Sequence, residues 1–109
     1  MVTLPEEEQP PVIVSPDGKL QIINHHPLKD RFGCYCIEGV VKYVSPEPNL
    51  CAEIKIDYYG LDRELIDTEV NMVNLVESGG TRSFYIMYSG LRRGEVQYYK
   101  LYITAKKES

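Results

Sequence analysis

Apolar and polar residues alternate with a period of two through most of this chain. The pattern is clearest over residues 50–59, where Leu50, Ala52, Ile54, Ile56 and Tyr58 share one face and Cys51, Glu53, Lys55 and Asp57 the other. Successive side chains of an extended strand point to opposite sides of its sheet, so this pattern predicts a half-buried antiparallel strand. Residues 12–14, 20–26, 34–45, 64–75, 81–88 and 96–104 read the same way. A helix competes over 64–75, but the β-branched content and the alternation of Ile66, Thr68, Val70 and Met72 favour a strand.

The breaks between these runs carry turn chemistry. Ser15-Pro16-Asp17-Gly18, Gly60-Leu61-Asp62-Arg63 and Ser78-Gly79-Gly80 are turns, 27–33 is a polar loop, and Pro46 and Pro48 end the long strand before them. Six or seven strands at this spacing predict an all-β sandwich of two antiparallel sheets. Its expected core is Ile37, Val41, Ile54, Ile56, Val70, Phe84, Ile86, Leu101 and Ile103. Residues 1–11, rich in Pro and Glu, are expected to form a flexible arm, and 12–106 a single domain.

Composition narrows the function. A chain of 109 residues holds one domain with a core of its own. A net charge of −4 argues against binding a nucleic-acid backbone. No apolar run is long enough to cross a membrane as a helix. The first eleven residues do not read as a signal peptide, and three cysteines are too few and too odd for a disulfide scaffold. Free thiols in a reducing, cytoplasmic compartment are expected.

Residues 34–104 resemble the FxLYD family of prokaryotic domains. The likeness rests on Ile37-x-Gly39-x-Val41-x-Tyr43-x-Ser45, then Pro46 and Pro48, Ile54-Lys55-Ile56-Asp57-Tyr58-Tyr59, Leu75-x-x-x-Gly79-Gly80-Thr81, and Phe84. Tyr43 stands where that family prefers Asn, Gly60 where it prefers Asp, and Ser78 where it has a turn proline. The resemblance implies an immunoglobulin/fibronectin-like sandwich, an accessory or binding role, no catalytic residues and no cofactor. It also leaves an extracytoplasmic location open.

Candidate chemistry is thin. A hairpin centred on Asp30 would set His26 opposite Cys34, with Cys36 on the same face. Thiolates and imidazole suit zinc, and a small metal-binding domain using His26, Cys34 and Cys36 is the alternative reading, but structural zinc takes four ligands. Cys51 falls too far along the next strand to complete the set, so buried thiols beside surface histidines are the simpler reading. Ser83 and Ser89 have no neighbouring base, the carboxylates are dispersed, and Gly79-Gly80 lacks a phosphate-loop lysine, so an enzyme is not expected.

The tyrosines are more informative, with nine in the chain and no tryptophan. Strands 50–59, 81–88 and 96–104 are expected to share a sheet, the last two adjacent and antiparallel. Its outward face would then carry Tyr59, Tyr85, Met87, Tyr98 and Tyr102, rimmed by Lys55 and Lys100. Such residues anchor interfaces, so a protein partner or a second copy of the chain is the expected ligand of this face. The simpler reading is cross-strand aromatic pairing that only braces the sheet.

Overall fold

The computed structural model describes residues 12–45, 47, 50–74 and 80–107. The expected arm, Pro46, Pro48 and residues 75–79, which include Ser78 and Gly79 of the expected turn, lie outside the described residues.

Seven strands follow one another: β1 Ile13–Val14, β2 Leu20–Lys29, β3 Tyr35–Tyr43, β4 Leu50–Tyr59, β5 Leu65–Val73, β6 Thr81–Met87 and β7 Tyr98–Lys107. The only other regular element among the described residues is a 3-10 turn at Arg93–Glu95. The strands form a sandwich of two antiparallel sheets, ordered β1-β2-β3-β6 and β5-β4-β7. We call the first sheet A and the second sheet B. The chain changes sheet three times, between β3 and β4, β5 and β6, and β6 and β7.

Alternation built the core as expected, with one exception. Ile37, Val41, Ile54, Ile56, Phe84, Ile86, Leu101 and Ile103 are buried and meet between the sheets with Leu20, Ile22, Leu50 and Val96. Gly39 opposes Phe84 across β3 and β6, and the phenyl ring fills the space a side chain would take. A Cβ on Gly39 would lie 2.7 Å from Phe84 Cζ. Val70 is the exception, at 56% exposed. It lies beside Lys55 on the outer face, while Asp67 and Glu69 oppose the buried Tyr58 and Ile56. From Asp67 to Val73 strand β5 therefore sits in the opposite phase to the expected one, while Ile66, at the register shift, still packs against the core.

Three further expectations are corrected. Strand β2 runs on through Pro27 to Lys29 rather than ending at His26. Proline cannot donate to a ladder, but β1 pairs only with Gln21 and Ile22, so among the described residues no strand lies beside Pro27 on that side. The β2–β3 hairpin is centred on Phe32, not Asp30, so His26 faces Glu38 rather than Cys34. Asp30 sets that turn: its carboxylate accepts the amides of Phe32 (2.8 Å) and Cys34 (2.9 Å), and Gly33 takes a positive φ of 79°. Lastly, β6 and β7 are not neighbours. Their connection, residues 88–97, exceeds the two to five residues of a tight hairpin and crosses between sheets roughly 10 Å apart.

These packing assignments have a direct test in denaturant unfolding. Ile54→Ala or Ile86→Ala is expected to cost ~2–5 kcal/mol by opening a cavity. Val70→Ala, on the surface, is expected to stay within ~0.5 kcal/mol of the parent. A large loss at Val70 would return β5 to the opposite phase.

Candidate functional site

The change of partner for β6 divides the five residues expected on one aromatic face. Tyr85 and Met87 lie on the outer face of sheet A, whereas Tyr59, Tyr98 and Tyr102 lie on the outer face of sheet B. The expected contiguous patch of all five does not exist, and the two groups face opposite ways.

On sheet A, Tyr85 stands beside Glu38, and its hydroxyl donates diagonally to Cys36 Sγ at 3.0 Å. This bond, reinforced by burial of the hydroxyl end, pushes the Tyr85 phenol up to about 12. Burial also raises the Cys36 thiol. The ring itself remains half exposed above a shallow depression lined by Asn24, His26, Glu38, Val40, Ser83 and Phe84. Here His26 Nε2 meets Glu38 Oε1 at 2.7 Å on the surface. Cys34, Cys36 and Cys51 are all buried, and none is in a disulfide. Among the described residues no three His, Cys, Asp or Glu side chains are grouped to hold a metal ion.

Sheet B carries the larger surface. Its outer face is a grid of cross-strand rows read from β5 through β4 to β7: Leu65–Tyr59–Tyr98, Thr68–Asp57–Lys100, Val70–Lys55–Tyr102 and Met72–Glu53–Thr104. Leu65, Val70 and Met72 are each more than half exposed. The basic groups lie against the rings: Lys55 Nζ is 5.0 Å and Lys100 Nζ 5.7 Å from the Tyr102 ring centre. The Arg63 guanidinium lies 4.7 Å from that of Tyr98. Each cation is drawn to the electron-rich face of its ring, and its aliphatic stem adds apolar cover. Arg63 reaches Tyr98 from the 60–64 turn, where it adopts a left-handed φ of 59°.

The apolar members of this face were missed because β5 was placed in the other phase. Two carboxylates explain the true phase. Glu69 accepts the Tyr58 hydroxyl at 3.0 Å and both the amide (3.0 Å) and hydroxyl (2.6 Å) of Ser89, and Asp67 accepts the Tyr88 hydroxyl at 3.0 Å. Tyr88 and Ser89 follow β6 of the other sheet, so these bonds tie the two sheets together along one side. Burial, with Glu69 beside it, drives the Tyr58 phenol far above its usual range. Burial and the bond to Asp67 also raise Tyr88. The available signal was the tyrosine count: phenols inside a core need acceptors, and a strand bearing Asp and Glu two residues apart supplies them.

No protein-family model and no curated protein matches the chain. Among solved structures, the crystal structure of cj0090 from Campylobacter jejuni is similar over 90% of this chain and 100% of that one, with a TM-score of 0.55 and 17% identity. At that identity the likeness bears on the fold alone, and it agrees with the two-sheet sandwich. No helix among the described residues is long and apolar enough to cross a membrane.

Residue-resolved NMR titration tests the sheet A contact. Tyr85 is expected to lose its proton near about 12, and Cys36→Ala to bring that value down toward the ordinary phenol range. The folded value lies above the unfolded one, so folding favours the neutral phenol. That contribution is whole below the ordinary phenol range and fades as pH climbs from there to about 12. A Tyr85 titration unmoved by the substitution would dissolve the contact.

Proposed function

We propose that this protein is a non-catalytic binding or assembly module that contacts another protein through the outer face of sheet B. The observation that carries the reading is the row pattern of that face. Leu65, Val70 and Met72 stand exposed beside Tyr59, Tyr98 and Tyr102, on three paired strands and with cations laid on the rings. Tyrosine, methionine and aliphatic side chains lose water without stranding a charge, and arginine and lysine at the margin supply polar contacts. A sheet face is also rigid, so little side-chain order is lost on docking.

Two features support the absence of chemistry in this reading. The carboxylates best placed for acid–base work, Asp67 and Glu69, are already taken by tyrosine and serine donors. The resemblance to FxLYD domains points the same way, and two residues that carry it, Gly39 and Phe84, pack directly on each other. The order of sheet crossings also suits the immunoglobulin/fibronectin-like arrangement that the resemblance implies.

Site-specific photo-cross-linking in the cells that make the protein tests the reading. A benzoylphenylalanine at position 102 is expected to give discrete protein adducts, and the same group at position 85 to give none. Equal labelling from both positions, or none from position 102, would overturn it.

A further inference from the structure

The outer face of sheet B ends at β5, and β5 is an edge. Eight of its nine residues pair with β4 on one side, and among the described residues no strand lies on the other. An edge strand offers a row of backbone donors and acceptors to any second strand of matching pattern. Edges are blunted by short length, proline, bulges or charge, including inward-pointing charge, and β5 has a register shift only at its Leu65 end. This one is long, has no proline, and shows Leu65, Val70 and Met72 on its outer side. Its two carboxylates point inward and are satisfied there, so they do not cover the backbone edge.

We propose that the occupant of this edge is the β5 strand of a second copy, joined antiparallel so that two three-stranded B sheets become one six-stranded sheet. The inference rests on the reading of sheet B as the contact sheet and names the occupant of its edge, leaving the outer face open. The register follows from the side chains. A two-fold axis perpendicular to the sheet keeps outer face with outer face, so only pairings that match outer residues with outer residues are allowed. An axis at Glu69 sets that carboxylate against its own copy, and an axis at Thr68 sets Glu69 against Asp67, both unfavourable. An axis at Val70 sets Val70 on Val70, Met72 on Thr68, Glu69 on Asn71 and Asp67 on Val73. An axis at Asn71 also separates the carboxylates but pairs fewer strand residues. The Val70 axis is therefore the longest ladder free of facing like charges. It leaves Val70 and Met72 of both copies in one apolar stripe, continued by the Tyr102 row. The contact is small, so the dimer should be weak and concentration-dependent.

Sedimentation and cysteine cross-linking of the full chain test this. The parent is expected to shift from monomer to dimer with concentration. Val70→Lys should abolish the shift while leaving the melting temperature unchanged, since Val70 is on the surface. Directly opposed residues in an antiparallel pair have Cα atoms about 4.5–5.5 Å apart, within disulfide reach. Val70→Cys is therefore expected to form a covalent dimer at least about tenfold faster than Met72→Cys, whose two copies would lie roughly 13 Å apart along the strands. The parent, with its three buried thiols, sets the background. A parent that stays monomeric at millimolar concentration overturns the proposal, and so does a dimer indifferent to Val70→Lys. Faster cross-linking from Met72→Cys overturns the register. If the parent is monomeric yet position 102 still yields adducts to a different protein, the self-pairing fails and the contact-face reading stands.

Discussion

The hydroxyls of the buried Tyr58 and Tyr88 find carboxylate acceptors on β5, and the arrangement of this sandwich depends on that pairing, whereas the buried Tyr43 hydroxyl has no partner among the described residues. Tyr35, Tyr58, Tyr88 and Tyr99 form a continuous row of ring contacts across one end of the core, with centroids 4.6–6.3 Å apart. At one end of the row Tyr99 meets His25 Nδ1 at 2.5 Å, and at the other Tyr58 and Tyr88 reach Glu69 and Asp67. A buried hydroxyl left unpaired costs about 1–3 kcal/mol, and a hydrogen bond to a charged group contributes about 1.5–3 kcal/mol. Four hydrogen bonds run to the two carboxylates, two from the buried Tyr58 and Tyr88 hydroxyls and two from the exposed Ser89, where water competes and each contributes less. Turning β5 over would bury Val70 and Met72 at an edge, where burial is partial and the gain for each falls short of the ~1.5–3 kcal/mol of a full core position. The polar side wins, and β5 shows its apolar side to solvent.

That single choice shapes the surface. Asp67 and Glu69 bind β5 to the residues that follow β6, and so close one side of the sandwich. Leu65, Val70 and Met72 are displaced to the outer face, where they adjoin the tyrosines of β4 and β7. The inward carboxylates also favour some partners over others. Several pairings of the edge would bring two of them face to face, so a strand can add only where its own polar residues fall elsewhere. A device that stabilises the core thus also filters what the edge accepts.

Much of this architecture was legible in the chain. Strand positions, the all-β sandwich and eight of the nine expected core residues follow from alternation and turn chemistry, because a period of two and a Pro or Gly break are local properties. What was not legible was set by distant partners. β5 alternates in both phases, one set apolar and one acidic, and hydrophobicity alone selects the wrong one. Sheet membership of β6 and β7 depends on whether the 88–97 connection folds back or crosses over, and its composition does not select between the two. His26 was placed opposite Cys34 because the Asp30 turn was centred two residues early, although Asp30 does organise it through the amides of Phe32 and Cys34. Of the aromatic residues singled out, Tyr59, Tyr98 and Tyr102 do share a face. Tyr85 and Met87 left it with the crossover.

The cations on sheet B explain how an apolar face of this kind stays compatible with water. Lys55 and Lys100 lie over Tyr102, and Arg63 lies over Tyr98, so the rings are partly roofed by hydrated groups. Contacts of this type at exposed sites contribute only about 0.5–1 kcal/mol, small enough to be exchanged on docking. The long side chains can swing aside to the rim while keeping their charges in water, and the rings beneath are already ordered by strand pairing. Leu65, Val70 and Met72 carry no such roof, so the least protected apolar surface is concentrated along β5. A strand added at that edge extends the sheet in its own plane and leaves the roofed tyrosines of β4 and β7 uncovered, so the edge and the face can be engaged separately.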